Sequence, residues 1–405
     1  MSVKQYTPAE KIKALGPGIL VVGSFIGPGT VTSATRAGAQ YGYALLWAVM
    51  FSVVAVIVMQ EMSARLGVVT QRGLAEGLVR ELEDKPVLKW IMVTLVASAI
   101  TLGGIAYMGG DLTGTALGIS TITGIPIRVI APAWGLCVLV LINMGDAIKS
   151  LEKLLAVCVT TMAIVFVITM IIVKPNIIAL LRGALPTIPE GSAMTSVALI
   201  GTTVVPYNMF IHATSARKTW GSPDQLPLAR FDVNVSMIIG GIITGAVLIT
   251  AGTVMHGMPV NSAVDMAHQL KPLLGDFAVP FLSVGLIAAG VSSAVITPLG
   301  VSYVLAGLFG WEMNNRDKRF LLTNLGVVLF GIIVAVTGFN PLTIIMMAQA
   351  ANGVFLPIIV VAVVYITSRK RVLGKYVNTP LQIAIGSCVA VISLIIGVQS
   401  LLSLF

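Results

Sequence analysis

The sequence predicts an all-α polytopic membrane protein in which two of the spanning helices are interrupted. Of its 405 residues, 57% are hydrophobic and 10% charged, far more apolar length than a soluble core needs. Two helix-breaking tetrapeptides, Gly27-Pro28-Gly29-Thr30 and Val205-Pro206-Tyr207-Asn208, stand in the middle of long apolar segments. Proline removes a backbone donor and flanking glycine weakens the helix, so polar backbone is left unpaired at a depth where lipid offers no partner. One such break reads equally as a proline kink that neighbouring helices re-satisfy or as backbone lining a cavity. Two of them, nearly half a chain apart, match transporters built from inverted repeats, whose paired discontinuous helices hold substrate near the bilayer midplane.

Apolar segments of about 20 residues, enough to cross a bilayer, fall at 15–39, 43–64, 88–113, 127–144, 151–173, 193–217, 233–255, 278–308, 320–338, 341–367 and 380–404, which makes eleven spans. They form a single transmembrane domain, with one repeat over 15–173, a second over 193–367 and an extra helix over 380–404. Gly16-Pro17-Gly18 is a helix start without the lysine and hydroxyl residue of a phosphate cradle. Residues 41–66 read as one uninterrupted helix that carries Glu61 to the cytoplasmic interface. Residues 68–85 read as a short amphipathic helix closed by Pro86. The third span holds Asp111, either a functional intramembrane acid or a water-accessible group at the outer interface. Loops are expected at 119–126, 186–191 and 219–230, with a tight turn at Gly145-Asp146.

The formal charge of +9 is a topology signal. With the N-terminus inside, the cytoplasmic stretches hold twenty of the 25 Lys and Arg residues. Arg128, Lys174, Arg182 and Lys271 lie outside, and Arg36 lies within the first span. This distribution argues against a nucleic-acid surface. The first segment is too long for a signal-peptide core and lacks a small-residue cleavage site, so it is kept as a span. Cys137, Cys158 and Cys388 sit in apolar segments without metal-ligand spacing and read as packing residues. The chain shows no nucleotide-binding glycine loop and no soluble domain, which argues against an ATP-driven pump. No catalytic activity and no cofactor are expected. The partners are a small ion or solute and the lipid bilayer, in a plasma or bacterial inner membrane.

The motifs in order resemble the Nramp (natural resistance-associated macrophage protein) family of divalent-metal transporters over nearly the whole length. The stretch GAQYGYALLW from Gly38 to Trp47 is similar to the family. So are Arg65-Leu66-Gly67, Gly114-Thr115-Ala116-Leu117, Pro206 with Asn208 and His212, Ala288-Ala289-Gly290-Val291-Ser292-Ser293, and Gln349. The resemblance implies a LeuT-type fold of inverted five-helix repeats with helices 1 and 6 broken. It also exposes departures. Where the family reads DPGN this chain has Gly27-Pro28-Gly29-Thr30, and where it reads MPHN this chain has Val205-Pro206-Tyr207-Asn208. The carboxylate, thioether and imidazole of the family's metal site are missing, and of its side-chain ligands Gln349 is retained. An acid pair ordered DxxE becomes Met108 and Asp111. These changes are similar to those of the Nramp-related magnesium transporters.

Thioether and imidazole favour transition metals, and a carboxylate offsets the dehydration of a divalent ion, so manganese and iron are disfavoured. The substrate-binding set expected here is Gly27, Gly29, Thr30, Thr202, Val205, Tyr207, Asn208 and Gln349, with Ser24, Thr203 and Asn352 nearby. Asp111 and His212 are the candidate coupling residues. Such a neutral site suits a largely hydrated hard cation such as magnesium. On chemistry alone it equally suits a small organic solute, since half-helix ends can face either charge. Thr202, Thr203 and Asn352 also read as interhelical glue, and His212 as a hydrogen-bonded structural residue. A receptor or scaffold that kept the fold without transport is the remaining class.

Overall fold

The structure is a computed structural model that describes residues 6–144 and 148–402. Its first half contains α1 (Pro8–Lys13), α2 (Pro17–Phe25), α3 (Pro28–Tyr41), α4 (Leu46–Thr70), α5 (Leu74–Glu81), α6 (Pro86–Thr123), α7 (Ile127–Asn143), α8 (Ile148–Ile172) and α9 (Ile177–Gly183). The second contains α10 (Ala193–Thr203), α11 (Pro206–Thr219), α12 (Leu226–Val254), α13 (Ala263–Ala267), α14 (Lys271–Leu274), α15 (Ala278–Phe309), α16 (Lys318–Ala335), α17 (Pro341–Thr367), α18 (Lys370–Leu373) and α19 (Pro380–Leu402). Among the described residues nine spans are long and apolar enough to cross a membrane, and the bent pair α2 and α3 makes a tenth. The shorter apolar helix α7 is the remaining expected span. The turn expected at Gly145-Asp146 lies outside the described residues.

The long helix α6 packs most extensively against α15 and α17, α10 lies along α17, and α3 along α12. Close approach comes from small residues, as in other membrane bundles. A Cβ on Gly201 of α10 would meet the Gln349 carbonyl of α17 at 2.1 Å, and one on Gly67 of α4 would meet the Ala213 carbonyl of α11 at 2.1 Å. On the outside, Val140, Ile171 and Leu394 are exposed and apolar, as lipid-facing positions must be.

Several helix boundaries depart from the sequence expectation. The helix expected over 41–66 is interrupted: Gly42 takes φ +58, a conformation glycine adopts at little cost, and α4 starts at Leu46. The amphipathic helix is Leu74–Glu81, because α4 runs on to Thr70. Its first turn is fixed by Glu76, which accepts from the Gly73 amide at 3.0 Å and pairs with Arg217 at 2.8 Å. Pro86 opens α6 rather than closing α5, a position where a missing donor is harmless. The loop expected at 119–126 is largely helix, and α6 ends only at Thr123, capped by Gly124, which takes φ +73. Residues 226–230 of the expected loop are likewise the first turn of α12.

Glu61, expected at the interface, is packed into an ionic network at the end of α4. It accepts from Arg65 at 3.1 Å, from Arg230 of α12 at 2.9 Å and from Gln382 of α19 at 2.8 Å. Arg65 is 1% exposed and also donates to Asn378 at 2.7 Å and to the Tyr376 carbonyl. Removing one side of a buried pair strands the other charge. Arg65→Ala is therefore expected to cost about 3–5 kcal/mol, read as a fall in thermal midpoint in detergent, while Arg371→Ala, whose pair with Asp84 is solvent-exposed, leaves the midpoint nearly unchanged.

Candidate functional site

Helix α2 ends at Phe25 and α3 begins at Pro28, with a bend of 58° between their axes. Its N-terminus is held from another helix: Asp232 of α12 accepts from the Gly16 amide at 2.9 Å and the Gly18 amide at 2.6 Å. A carboxylate at that end satisfies two of the orphan donors and complements the helix dipole. The second interruption, between α10 and α11, keeps its halves aligned enough to form one 27-residue span. The two breaks meet, because Thr30 Oγ1 lies 2.8 Å from Thr202 Oγ1 and also donates to the Phe25 carbonyl. Thr30 and Thr202 thus tie the half-helices together. Thr203 donates to the Leu199 carbonyl of its own helix at 3.2 Å.

Other residues of the expected set are arranged differently. Gly29 leaves no room for a side chain, since a Cβ there would meet the Gln349 amide nitrogen at 2.2 Å. Gln349 is fully buried, and neither its oxygen nor its nitrogen has a hydrogen-bond partner in the protein. Asn208, in the first turn of α11, is 1% exposed and has the same property at both side-chain atoms. Gly27, in contrast, would admit a Cβ in ordinary contact, 3.7 Å from Ser293 Cβ and 3.9 Å from Asp111 Oδ1. Val205 is the buried residue preceding Pro206 and offers its carbonyl to the Asn208 amide at 3.2 Å.

Asp111 is not water-accessible in this structure. It is 1% exposed in the middle of α6, and its Oδ2 accepts from Ser293 at 2.8 Å and Thr297 at 3.0 Å. Tyr207 reaches the same cluster, with its hydroxyl 3.1 Å from Thr297 Oγ1 and its ring edge-on to Tyr107 at 5.9 Å. Ser293 Oγ also lies 3.4 Å from the Ser24 carbonyl oxygen, so the cluster joins α2, α6, α11 and α15. His212 engages a separate partner, with its Nδ1 2.8 Å from Gln60 of α4. Tyr107, Thr297 and Gln60 were not singled out from the sequence. Ser293 and Thr297 do share one face of a helix by their spacing of four, the available signal.

A cavity of about 750 Å³ lies elsewhere. It is an apolar cleft between α2, α8, α12 and α15, lined by residues such as Ile19, Val159, Ile239 and Val295, and it offers an ion little to bind. Among the described residues no group of three or more His, Cys, Asp or Glu side chains could hold a metal ion. Cation chemistry at the breaks therefore falls to amides, carbonyls, hydroxyls and the one carboxylate.

Among the described residues, an all-helical bundle whose two discontinuous helices meet at their breaks, beside a polar cluster in its interior, has the fold of the LeuT-type transporters. The chain belongs to the Nramp family: residues 18–403 match the family described as natural resistance-associated macrophage protein-like. It is 29% identical over 391 residues to the divalent metal cation transporter MntH of Deinococcus radiodurans, covering 93% of this chain and 87% of that protein. In fold it is similar to the manganese transporter of Eremococcus coleocola, with a TM-score of 0.78 at 19% identity over 99% of this chain and 88% of the other. It is also similar to MhsT solved with L-phenylalanine, with a TM-score of 0.62 at 15% identity over 96% and 98% of the two chains.

Proposed function

We propose that the protein moves a hard divalent cation, magnesium foremost, by alternating access around the two breaks. The observation that carries this reading is the donor set. Asn208 and Gln349 offer buried carboxamides without protein partners, while glycine, valine and tyrosine occupy positions 27, 205 and 207. Amide and carbonyl oxygen suits a hard ion that keeps several of its waters, and the absence of thioether and imidazole removes the preference for transition metals. The names of the relatives support a divalent metal as substrate. The two halves that rock against each other in this scheme are 15–173 and 193–367, with 380–404 as an added helix. The cationic bias of the alternate loops supports a cytoplasmic N-terminus in a plasma or bacterial inner membrane.

The test is uptake into proteoliposomes. Magnesium is expected to enter, and equimolar manganese to compete no better than magnesium itself. Uptake of manganese in preference to magnesium would refute the hard-ion reading. Transport of neither, with uptake of a small organic solute, would assign the site to that class, and a protein that moves nothing would be a scaffold.

A further inference from the structure

Three carboxylates are buried among the described residues: Glu61, Asp111 and Asp232. Two are accounted for by the fold. Glu61 is paired with Arg65 and Arg230, and Asp232 accepts two backbone amides at the start of α2. Asp111 receives hydroxyl hydrogen bonds from Ser293 and Thr297, and all of these fall on Oδ2. Hydroxyls orient a carboxylate without neutralising it, and an ionisable group held in a membrane interior without a counter-charge marks an ion pathway.

Its position is the second observation. Oδ1 lies 3.9 Å from where a Cβ of residue 27 would stand, so the carboxylate of α6 reaches the space that a side chain at the first break would occupy. The unpartnered amide of Gln349 borders the same region, because a Cβ on Gly110, the neighbour of Asp111, would lie 3.7 Å from its nitrogen. Ser293 links the carboxylate to the Ser24 carbonyl near the end of α2. With no side chain at position 27, the acid from α6 is the carboxylate that borders the first break.

We propose that Asp111 is the charged ligand of the transported divalent cation, supplying from the third span the carboxylate that the first break lacks. This rests on the divalent-cation reading above. Three residues brought together from 111, 293 and 297, beside the first break that Gln349 borders, make a site that neither break contains by itself, and Tyr207 steadies it through Thr297. Asp111 touches the ion, while Ser293 and Thr297 are positioning residues.

The experiment uses the full chain in lipid nanodiscs with magnesium chloride as the probe, read as a thermal shift and as uptake in proteoliposomes. Asp111→Asn retains an oxygen that accepts from Ser293 and Thr297, so its ion-free midpoint is expected to match the parent. Its magnesium affinity is expected to fall by about tenfold or more, the loss of about 1.4 kcal/mol or more of binding. Moving the charge, as Asp111→Asn with Gly27→Asp, is expected to restore affinity to within about threefold of the parent, whereas a structural role for Asp111 would show as a lowered ion-free midpoint in Asp111→Asn. Parental affinity in Asp111→Asn, or a loss that Gly27→Asp does not repair, would overturn the proposal. A parent protein that binds no divalent cation would overturn the functional reading, and this inference with it.

Discussion

Gly27→Asp in the otherwise unchanged protein is expected to raise divalent-cation affinity by about tenfold or more while lowering the stability of the ion-free state. A Cβ is accommodated in ordinary contact, with its nearest atom 3.7 Å away. Charge is the obstacle. The added carboxylate would share the region with Asp111, and two like charges about 4 Å apart repel by on the order of 4 kcal/mol at an effective dielectric near 20. A dication between them converts that repulsion into attraction, so the cost appears without ion and the gain appears with it. Adding Val205→Met brings a thioether, which shifts the preference from magnesium toward manganese. Residue 205 is fully buried, and the longer side chain costs about 1–3 kcal/mol of stability. Calorimetric titration of the parent, Gly27→Asp and the double variant with each metal gives the comparison. Micromolar manganese binding by the parent would overturn the disfavouring of manganese, and equal affinities throughout would show that the first break is not where cations bind.

How much of this was legible from the sequence depends on the range of the interactions. The spans and both breaks were readable, because twenty apolar residues and a proline among them report directly on a membrane helix and its interruption. The end of α6 was not. Thr121 and Thr123 look like loop residues, yet their hydroxyls bond back to the carbonyls of Leu117 at 2.7 Å and Ile119 at 2.8 Å, so they continue the helix. The role of Glu61 was hidden for another reason, since two of its partners, Arg230 and Gln382, come from distant helices. The same holds at the candidate site. Asp111 could be noticed as a rare acid, but its donors stand at 293 and 297, and only the folded bundle brings them to Gly27. Thr30 and Thr202 were readable as polar residues near the breaks, while their engagement with each other was not.

Asn208→Leu is expected to leave the ion-free protein as stable as the parent or more so, and to reduce magnesium transport by about tenfold or more. A buried amide without a partner costs about 1–3 kcal/mol, and Asn208 has neither side-chain atom bonded within the protein. Folding alone would therefore be served as well by an apolar residue of similar volume, and the retained amide is explained by a group that arrives with the substrate. Tyr207→Phe is the contrasting variant. Its hydroxyl is already engaged with Thr297, so its removal is expected to cost about 0.5–1.5 kcal/mol of stability, with transport lowered only as far as Asp111 loses its orientation. The paired measurement is the thermal midpoint without ion and initial uptake rate over a range of magnesium concentrations. If Asn208→Leu transports at the parental rate with unchanged apparent affinity, the first turn of α11 does not meet the substrate, and the site must be redrawn around the first break and α6 alone.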